Sequence, residues 1–159
     1  MTNEIQNPGS SERRLLIVED DQRFADTLAT EFRDRGYHVE WLESLQAVRD
    51  HASLDFHFAV VDLRIRKDSG LDVISSLKDR SPETVVIVLT GYGSIATAVK
   101  ATKLGATAYL TKPVDADEIE RANTFFVEYT LHKLGLSVVK QCLWIRPERG
   151  SAVTPKGGR

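Results

Sequence analysis

The sequence predicts an α/β fold in which five parallel strands form one doubly wound sheet with helices on both faces. Short apolar runs rich in β-branched residues alternate five times with segments whose apolar residues recur every three or four positions. Such alternation is typical of parallel strands joined by right-handed helical crossovers. The predicted strands are residues 15–18, 37–42, 58–61, 85–89 and 106–110.

The residue pattern within the strands predicts their order. Strands one, three and four are continuous apolar runs, as expected where helices cover both faces of a sheet. The second strand alternates Tyr37, Val39 and Trp41 with His38 and Glu40, which is typical of an edge strand. We therefore expect the strand order 2-1-3-4-5.

Five helices are predicted, one after each strand. Gly36 and Gly105 are expected to end the first and fourth helices, since glycine readily adopts the left-handed backbone that follows many helix ends. Asp115, three residues before Glu118, is expected to cap the fifth helix. The helical stripes are Phe24, Leu28 and Phe32; Leu45, Val48 and Ala52; Leu71, Ile74 and Leu77; Ile95, Ala98, Val99 and Thr102; and Ile119, Ala122 and Phe126.

Composition is that of an ordinary soluble globular protein. The 159 residues allow one domain with an appendage, and 42% of them are hydrophobic while 28% are charged. A single cysteine, Cys142, excludes an intrachain disulfide and favours a reducing compartment. The longest uncharged stretch, residues 84–99, is shorter than the ~20 residues of a membrane helix, and no secretory signal is recognisable. We expect a cytoplasmic protein without a membrane partner.

Polar side chains follow the strands at their carboxyl ends, where doubly wound sheets bind ligands. Taken singly, a carboxylate there is more often a helix cap, and we expect that role for Asp21. Their coincidence at one edge of the sheet indicates a site. These residues are Glu19, Asp20 and Asp21 after strand one, Asp62 after strand three, Thr90 after strand four, and Thr111, Lys112 and Pro113 after strand five.

The residue types at this edge favour a metal-assisted phosphoryl-transfer site. Carboxylates this close repel one another, and a divalent cation relieves the repulsion. Hard oxygen ligands with no Cys or His nearby favour Mg²⁺ or Mn²⁺. The Thr90 hydroxyl and the Lys112 ammonium would supply donors to an anion, and Asp62 is the candidate nucleophile that forms an acyl phosphate.

The segments LLIVEDD, AVVDLRI, VIVLTGYG and AYLTKP resemble the receiver domain of two-component response regulators, which has the CheY-like, flavodoxin-like (βα)5 fold. The resemblance covers about residues 13–123. It implies that a histidine kinase phosphorylates Asp62 and that the protein is not an enzyme, but a phosphoacceptor that assists its own Mg-dependent phosphorylation and dephosphorylation.

The resemblance also implies the roles of the surrounding residues. Asp20 would bind the metal directly and Glu19 through water, with Asp62 and the backbone carbonyl of Arg64 as further ligands. Thr90 would be the switch hydroxyl, and the Tyr109 ring would rotate with it. Lys112 would contact the phosphoryl group, and the Lys112–Pro113 bond is expected to be cis.

Within this family, the stretch from DLRIRKDSGLDVI to KPVDADEIE most resembles the redox-responding RegA/PrrA/ActR regulators, in which a helix-turn-helix DNA-binding domain follows the receiver. That domain is not recognisable here. Residues 124–159 carry six Lys or Arg against two Glu, a net charge of +4, which leaves −6 for residues 1–123.

We divide the chain into a flexible leader at 1–12, the receiver at 13–123 with helix five able to extend to about 131, and a basic irregular tail at 132–159. The tail is interpreted as an irregular extension, a truncated or frame-altered remnant of an effector domain. The alternative is a basic arm that contacts DNA phosphates or a partner.

The leading hypothesis is a response-regulator receiver that switches the surface formed by helix four, strand five and helix five. Ile95 and Val99 lie on this surface, which could also form a homodimer. The main alternative is a RegA-type DNA-binding transcriptional regulator with an altered effector region. An aspartyl phosphatase is disfavoured because Arg64 stands where a second carboxylate would act as general acid, and a flavin protein because Glu19, Asp20 and Asp21 replace a phosphate-binding loop.

Overall fold

The computed structural model describes residues 13–91 and 93–133, with the side chains of 125–132 excepted. The predictions for the leader at 1–12 and for the tail beyond Lys133 lie outside the described residues. The strands are β1 Arg13–Val18, β2 Tyr37–Leu42, β3 Phe58–Asp62, β4 Arg64–Ile65, β5 Asp68–Ser69, β6 Val85–Thr90 and β7 Ala108–Thr111, and the helices are α1 Gln22–Asp34, α2 Leu45–Asp50, α3 Gly70–Arg80, α4 Ile95–Lys103 and α5 Ala116–Lys133.

Five strands form one parallel sheet in the order β2-β1-β3-β6-β7, so the predicted fold class and strand order are confirmed. Predicted strands four and five correspond to β6 and β7. The additional strands β4 and β5 form a small antiparallel hairpin. The hairpin was not predicted because a strand of two residues is too short to show a periodic pattern.

The core lies on both faces of the sheet, since successive strand residues point to opposite sides. Leu16 and Val18 pack on one face with residues of α2, α3 and α4. Leu15 and Ile17 pack on the other face with residues of α1 and α5. Helices therefore cover both faces, and the edge of the sheet formed by the carboxyl ends of the strands is left for a site.

The boundaries of α1 and α5 agree with the predicted signals, whereas α2 ends at Asp50 and leaves Ala52 of its predicted stripe outside the helix. The Asp21 side chain accepts hydrogen bonds from the backbone N–H groups of Arg23 and Phe24, so its predicted role as the cap of α1 is confirmed. Asp115 accepts from the Glu118 N–H at 2.8 Å. Gly36 has a φ of 84°, in the left-handed region expected after α1.

The apolar stripe of α4 is not the side that this helix buries, in agreement with the predicted surface position of Ile95 and Val99. Its stripe does not face the core, because Ile95 is 87% exposed and Val99 is 47% exposed, while Ala101 is the residue of α4 that is buried. Helical spacing identifies a stripe but not the direction it faces. The predicted surface at helix four therefore has an apolar character.

Two further features concern the chain as a whole. The chain divides into two units, residues 1–123 and residues 124–159. Within the described residues, no helix combines the length and the hydropathy needed to cross a membrane.

Candidate functional site

Four polar side chains lie at the carboxyl edge of the central sheet. Glu19 follows β1, Asp62 and Thr90 are the last residues of β3 and β6, and Lys112 follows β7. Glu19, Asp62 and Thr90 are 2%, 7% and 1% exposed, although all three are polar. The Lys112–Pro113 peptide bond is cis, as the resemblance implied.

Lys112 joins two of these strand ends. Its Nζ lies 2.7 Å from Glu19 Oε2 and 2.5 Å from Asp62 Oδ2. The indole N–H of Trp41 donates to the Glu19 carbonyl at 2.7 Å and holds the end of β1 against the edge strand. The structure therefore brings Glu19, Asp62 and Lys112 together as one hydrogen-bonded group.

The charges within this group perturb one another. Burial raises the pKa of Glu19 to about 7, although Lys112 and the Asp21 N–H act in the opposite direction by bonding its carboxylate. Burial lowers the pKa of Lys112, but its bonds to Asp62 and Glu19 outweigh that effect and the net shift is upward. The net shift therefore favours the charged form of Lys112, whereas burial favours the protonated form of Glu19.

Backbone N–H groups of the loop after β3 orient two further carboxylate oxygens. The Arg64 N–H donates to Asp62 Oδ1 at 2.8 Å, and the Arg66 N–H donates to Asp20 Oδ2 at 3.0 Å. Arg66 has a φ of 49°, a left-handed conformation that is uncommon for arginine, and its guanidinium bonds Glu43 at 2.9 Å. The β4–β5 hairpin thus fixes Asp20 beside the strand ends.

The donor set suits a hard divalent cation. Among the described residues, no three His, Cys, Asp or Glu side chains are grouped as ligands of one metal ion. Mg²⁺ does not need such a group, because it takes one or two carboxylates and keeps several waters. Asp20 and Asp62 retain lone pairs beyond those that accept the backbone N–H groups, so oxygen donors are available here.

Tyr109 contacts the end of β6 from the neighbouring strand. Its hydroxyl is buried and has no hydrogen-bond partner among the described residues. A Cβ added to Gly93 would lie 1.8 Å from this hydroxyl and 2.9 Å from Thr90 Cγ2. The hydroxyl therefore occupies the space left by the missing Gly93 side chain, close to Thr90.

Sequence reasoning missed two parts of this site. Lys112 Nζ lies 4.4 Å from the centre of the Phe24 ring, although the helical spacing had assigned Phe24 simply to the core. The hairpin that orients Asp20 was also missed. A lysine after one strand and an aromatic residue in the first turn of α1 were the available signals, but the two residues are 88 positions apart in the sequence.

Comparison with known proteins agrees with this geometry. Residues 15–123 match the response regulator receiver domain family. The chain is 46% identical over 116 residues to the photosynthetic apparatus regulatory protein RegA of Rhodobacter capsulatus, covering 70% of this chain and 61% of RegA. It is 49% identical over 109 residues to the acid tolerance regulatory protein ActR of Rhizobium meliloti, covering 68% of this chain and 56% of ActR.

A solved structure shares the fold as well. A response regulator from Burkholderia pseudomallei, crystallised with a phosphorylated aspartic acid, a calcium ion and citrate, superposes with a TM-score of 0.69 at 38% identity. The superposition covers 80% of this chain and 77% of that one.

The chain belongs to the response regulator receiver domain family of two-component signalling. Receiver domains are phosphoacceptors rather than conventional enzymes, they accept phosphoryl groups from histidine kinases, and they bind a divalent metal ion. The predicted likeness to RegA and ActR is confirmed over the receiver region. The chain spans about three fifths of the length of these relatives.

Proposed function

We propose that Asp62 is the phosphoacceptor of this receiver. The observation that supports this most directly is the contact of Asp62 with Lys112 at the buried carboxyl edge of the sheet. The Arg64 N–H holds one oxygen of the same carboxylate, so the nucleophile is oriented from two sides.

The proposed step is an in-line transfer between two nucleophiles. An oxygen of Asp62 attacks the phosphorus of a phosphohistidine on the kinase, and an acyl phosphate forms as the P–N bond breaks. The leaving imidazole nitrogen keeps the electron pair and takes a proton from water. Lys112 turns from the carboxylate to a phosphoryl oxygen and stabilises the charge that develops there.

We assign the cation site to Mg²⁺ or Mn²⁺. Asp20, Asp62 and the backbone carbonyl of Arg64 would hold the ion, with Glu19 contacting it through water. When bound, the ion neutralises charge on the phosphoryl oxygens. The backbone bond from Arg66 to Asp20 supports this assignment because it fixes a carboxylate in place before any cation arrives.

We propose that Thr90 and Tyr109 convert phosphorylation into a change of surface. Thr90 is buried beside the Tyr109 hydroxyl, so a movement of Thr90 toward the phosphoryl group would change the space available to the ring. Ile95 and Val99 provide exposed apolar area on α4, which begins two residues after Gly93. The face formed by α4, β7 and α5 is the proposed site of partner binding and of homodimer formation.

Phosphorylation can be tested with acetyl phosphate and Mg²⁺, followed by mass spectrometry of the intact protein. We expect one phosphoryl group on the wild-type chain and none on Asp62→Asn. Asp55→Asn is the matched control, since Asp55 is an exposed carboxylate that contacts Arg14 on the surface. Labelling that persists in Asp62→Asn would refute the assignment.

A second candidate function is DNA binding of the RegA type. Two observations favour it: the named relatives extend well beyond the region that this chain matches, and residues 124–159 carry a net charge of +4. The test is a mobility shift with duplex DNA at two salt concentrations. A shift that weakens with salt and disappears when residues 124–159 are deleted would support it, whereas equal binding by the deleted form would refute it.

A further inference from the structure

The surroundings of the Lys112 ammonium contain one group to which the phosphotransfer scheme assigns no role. Two sides of the ammonium meet carboxylate oxygens, of Glu19 and Asp62. A third side meets the Phe24 ring, whose centre lies 4.4 Å from Nζ. This distance is well within the ~6 Å over which a ring face attracts a cation.

We propose that Phe24 is a positioning residue for Lys112, with its ring face holding the ammonium at the strand ends so that it can pass from Asp62 to the incoming phosphoryl group. The proposal rests on the proposed role of Asp62. Phe24 would thus be a residue of α1 that contributes to the phosphorylation site through Lys112, without contacting the metal ion or the phosphoryl group.

An aromatic face is suited to holding the Lys112 ammonium because it does not compete with the phosphoryl group for the ammonium N–H groups. A third carboxylate would bind the ammonium more tightly and would compete with the phosphoryl oxygens for its N–H groups. An aliphatic side chain would exclude water from the partly buried ammonium without attracting its charge, which would destabilise the charged form. A ring face attracts the charge without accepting a strong directed hydrogen bond, so the ammonium keeps its freedom to turn.

The start of α1 places the ring where Lys112 can reach it. Asp21 Oδ1 accepts hydrogen bonds from Arg23 N at 3.0 Å and from Phe24 N at 3.2 Å, which fixes the backbone of Phe24 in the first helical turn. The ring then packs against the core cluster that contains Leu15 and Ile17. The third acidic residue of the EDD segment therefore acts on the site indirectly, by orienting Phe24.

The decisive experiment separates the charge-attracting property of the ring from its shape. Phe24 is replaced by mono-, di- and trifluorinated phenylalanine, which preserve shape while they progressively weaken the negative ring face, and by leucine. The rate of phosphorylation by acetyl phosphate at saturating Mg²⁺ should fall in graded order along the fluorinated series. We expect Phe24→Leu to be about three- to tenfold slower, a change of roughly 0.65–1.4 kcal/mol, which lies between the values of exposed and of desolvated cation–π contacts.

Phe58 provides the matched control series. Its ring is buried among Phe32 and Tyr37 at the opposite end of β3 from Asp62. Fluorination of Phe58 should change the free energy of unfolding but not the phosphorylation rate. A rate that is equal across the Phe24 series, or that falls equally in the Phe58 series, would overturn the proposal.

A measurement on the unphosphorylated protein keeps this proposal distinct from the role of Asp62. NMR of the Lys112 ammonium, assigned with Lys112→Arg, reports how well its protons are held. The signal should be sharp in the wild type and broadened by exchange with water in Phe24→Leu. If the wild type takes no phosphoryl group but its NMR signal differs from that of Phe24→Leu as described, Asp62 is rejected as acceptor and the ring contact is retained. An identical NMR signal in the two proteins would reject the ring contact.

Discussion

Replacing Gly93 with alanine should displace Tyr109 while leaving the fold intact. The new Cβ would lie 1.8 Å from the Tyr109 hydroxyl, 2.8 Å from its Cζ and 2.9 Å from Thr90 Cγ2, whereas ordinary contacts begin near 3.4 Å, so the largest displacement falls on Tyr109. The hydroxyl must therefore retreat by about 1.6 Å. It is the far end of a side chain, so the ring can turn outward without moving the backbone of β7.

The effect on stability should be small because opposing terms nearly cancel. Turning outward exposes about a third of the ring, roughly 60 Å², which costs about 1.5 kcal/mol. The same movement brings to water a hydroxyl that was buried without a partner among residues 13–91 and 93–133, which returns about 1–3 kcal/mol. The net change in the free energy of unfolding should therefore lie between a loss of about 0.5 kcal/mol and a gain of about 1.5 kcal/mol.

Two other glycines make matched controls. Apart from its chain neighbours, a Cβ at Gly91 would have no atom of the described residues within 4 Å, so Gly91→Ala should leave both stability and Tyr109 unchanged. A Cβ at Gly70 would lie 2.2 Å from the carbonyl oxygen of Asp62 and 2.6 Å from Leu63 Cα. These are backbone atoms of the site, so Gly70→Ala should cost about 1–3 kcal/mol or more.

The assay combines urea unfolding with fluorine NMR of fluorotyrosine-labelled protein, in which Tyr109→Phe assigns the Tyr109 resonance. The Tyr109 resonance should move toward its solvent-exposed position in Gly93→Ala and stay in place in Gly91→Ala. An unmoved resonance in Gly93→Ala, or a loss of stability as large as that of Gly70→Ala, would refute the reasoning.

Three further outcomes follow from the same contacts. The pKa of Glu19 is raised from 4.5 to about 7, so the folded state binds a proton more tightly than the unfolded state between these two pH values. The stability of the metal-free protein should therefore fall as pH rises through this range. Urea unfolding at several pH values checks this, and Glu19→Gln should lose the pH dependence. Asp21→Ala should lower the free energy of unfolding by about 0.5–2 kcal/mol through loss of the α1 cap, while the exposed Asp55→Ala should have little effect. Phe32→Ala should cost about 3–5 kcal/mol in urea unfolding because its ring is fully buried, and an effect below 1 kcal/mol would contradict its place in the core.

The fold could be predicted because its signals are local. Continuous apolar runs at β1, β3 and β6, the alternation of Tyr37 to Trp41, and the caps Asp21 and Gly36 each concern a few adjacent residues. The alternating strand indicated one edge of the sheet, and the order 2-1-3-4-5 is the doubly wound arrangement that places this strand there. The hairpin of Arg64 to Ser69 could not be predicted in this way, because the left-handed Arg66 that shapes it is held by contacts with Asp20 and Glu43 from other elements.

For the candidate site, the sequence predicted which residues lie at the strand ends but not which side chains contact one another. Strand ends place Glu19, Asp62, Thr90 and Lys112 at one edge of the sheet, and parallel topology alone implies that. Contacts between side chains require the packed structure. The Phe24 ring at Lys112 and the Tyr109 hydroxyl beside Gly93 depend on rotamers that the sequence pattern does not specify.

The position of Lys112 affects the conditions under which the protein can fold. The carboxylates at the strand ends repel one another, and a divalent cation was expected to relieve that repulsion. The ammonium already lies between Glu19 and Asp62, so the chain carries its own counter-ion into the folded state. We therefore expect the domain to fold and persist in a cell short of magnesium. The supply of metal would then limit the rate at which the protein is phosphorylated and not the amount of folded protein.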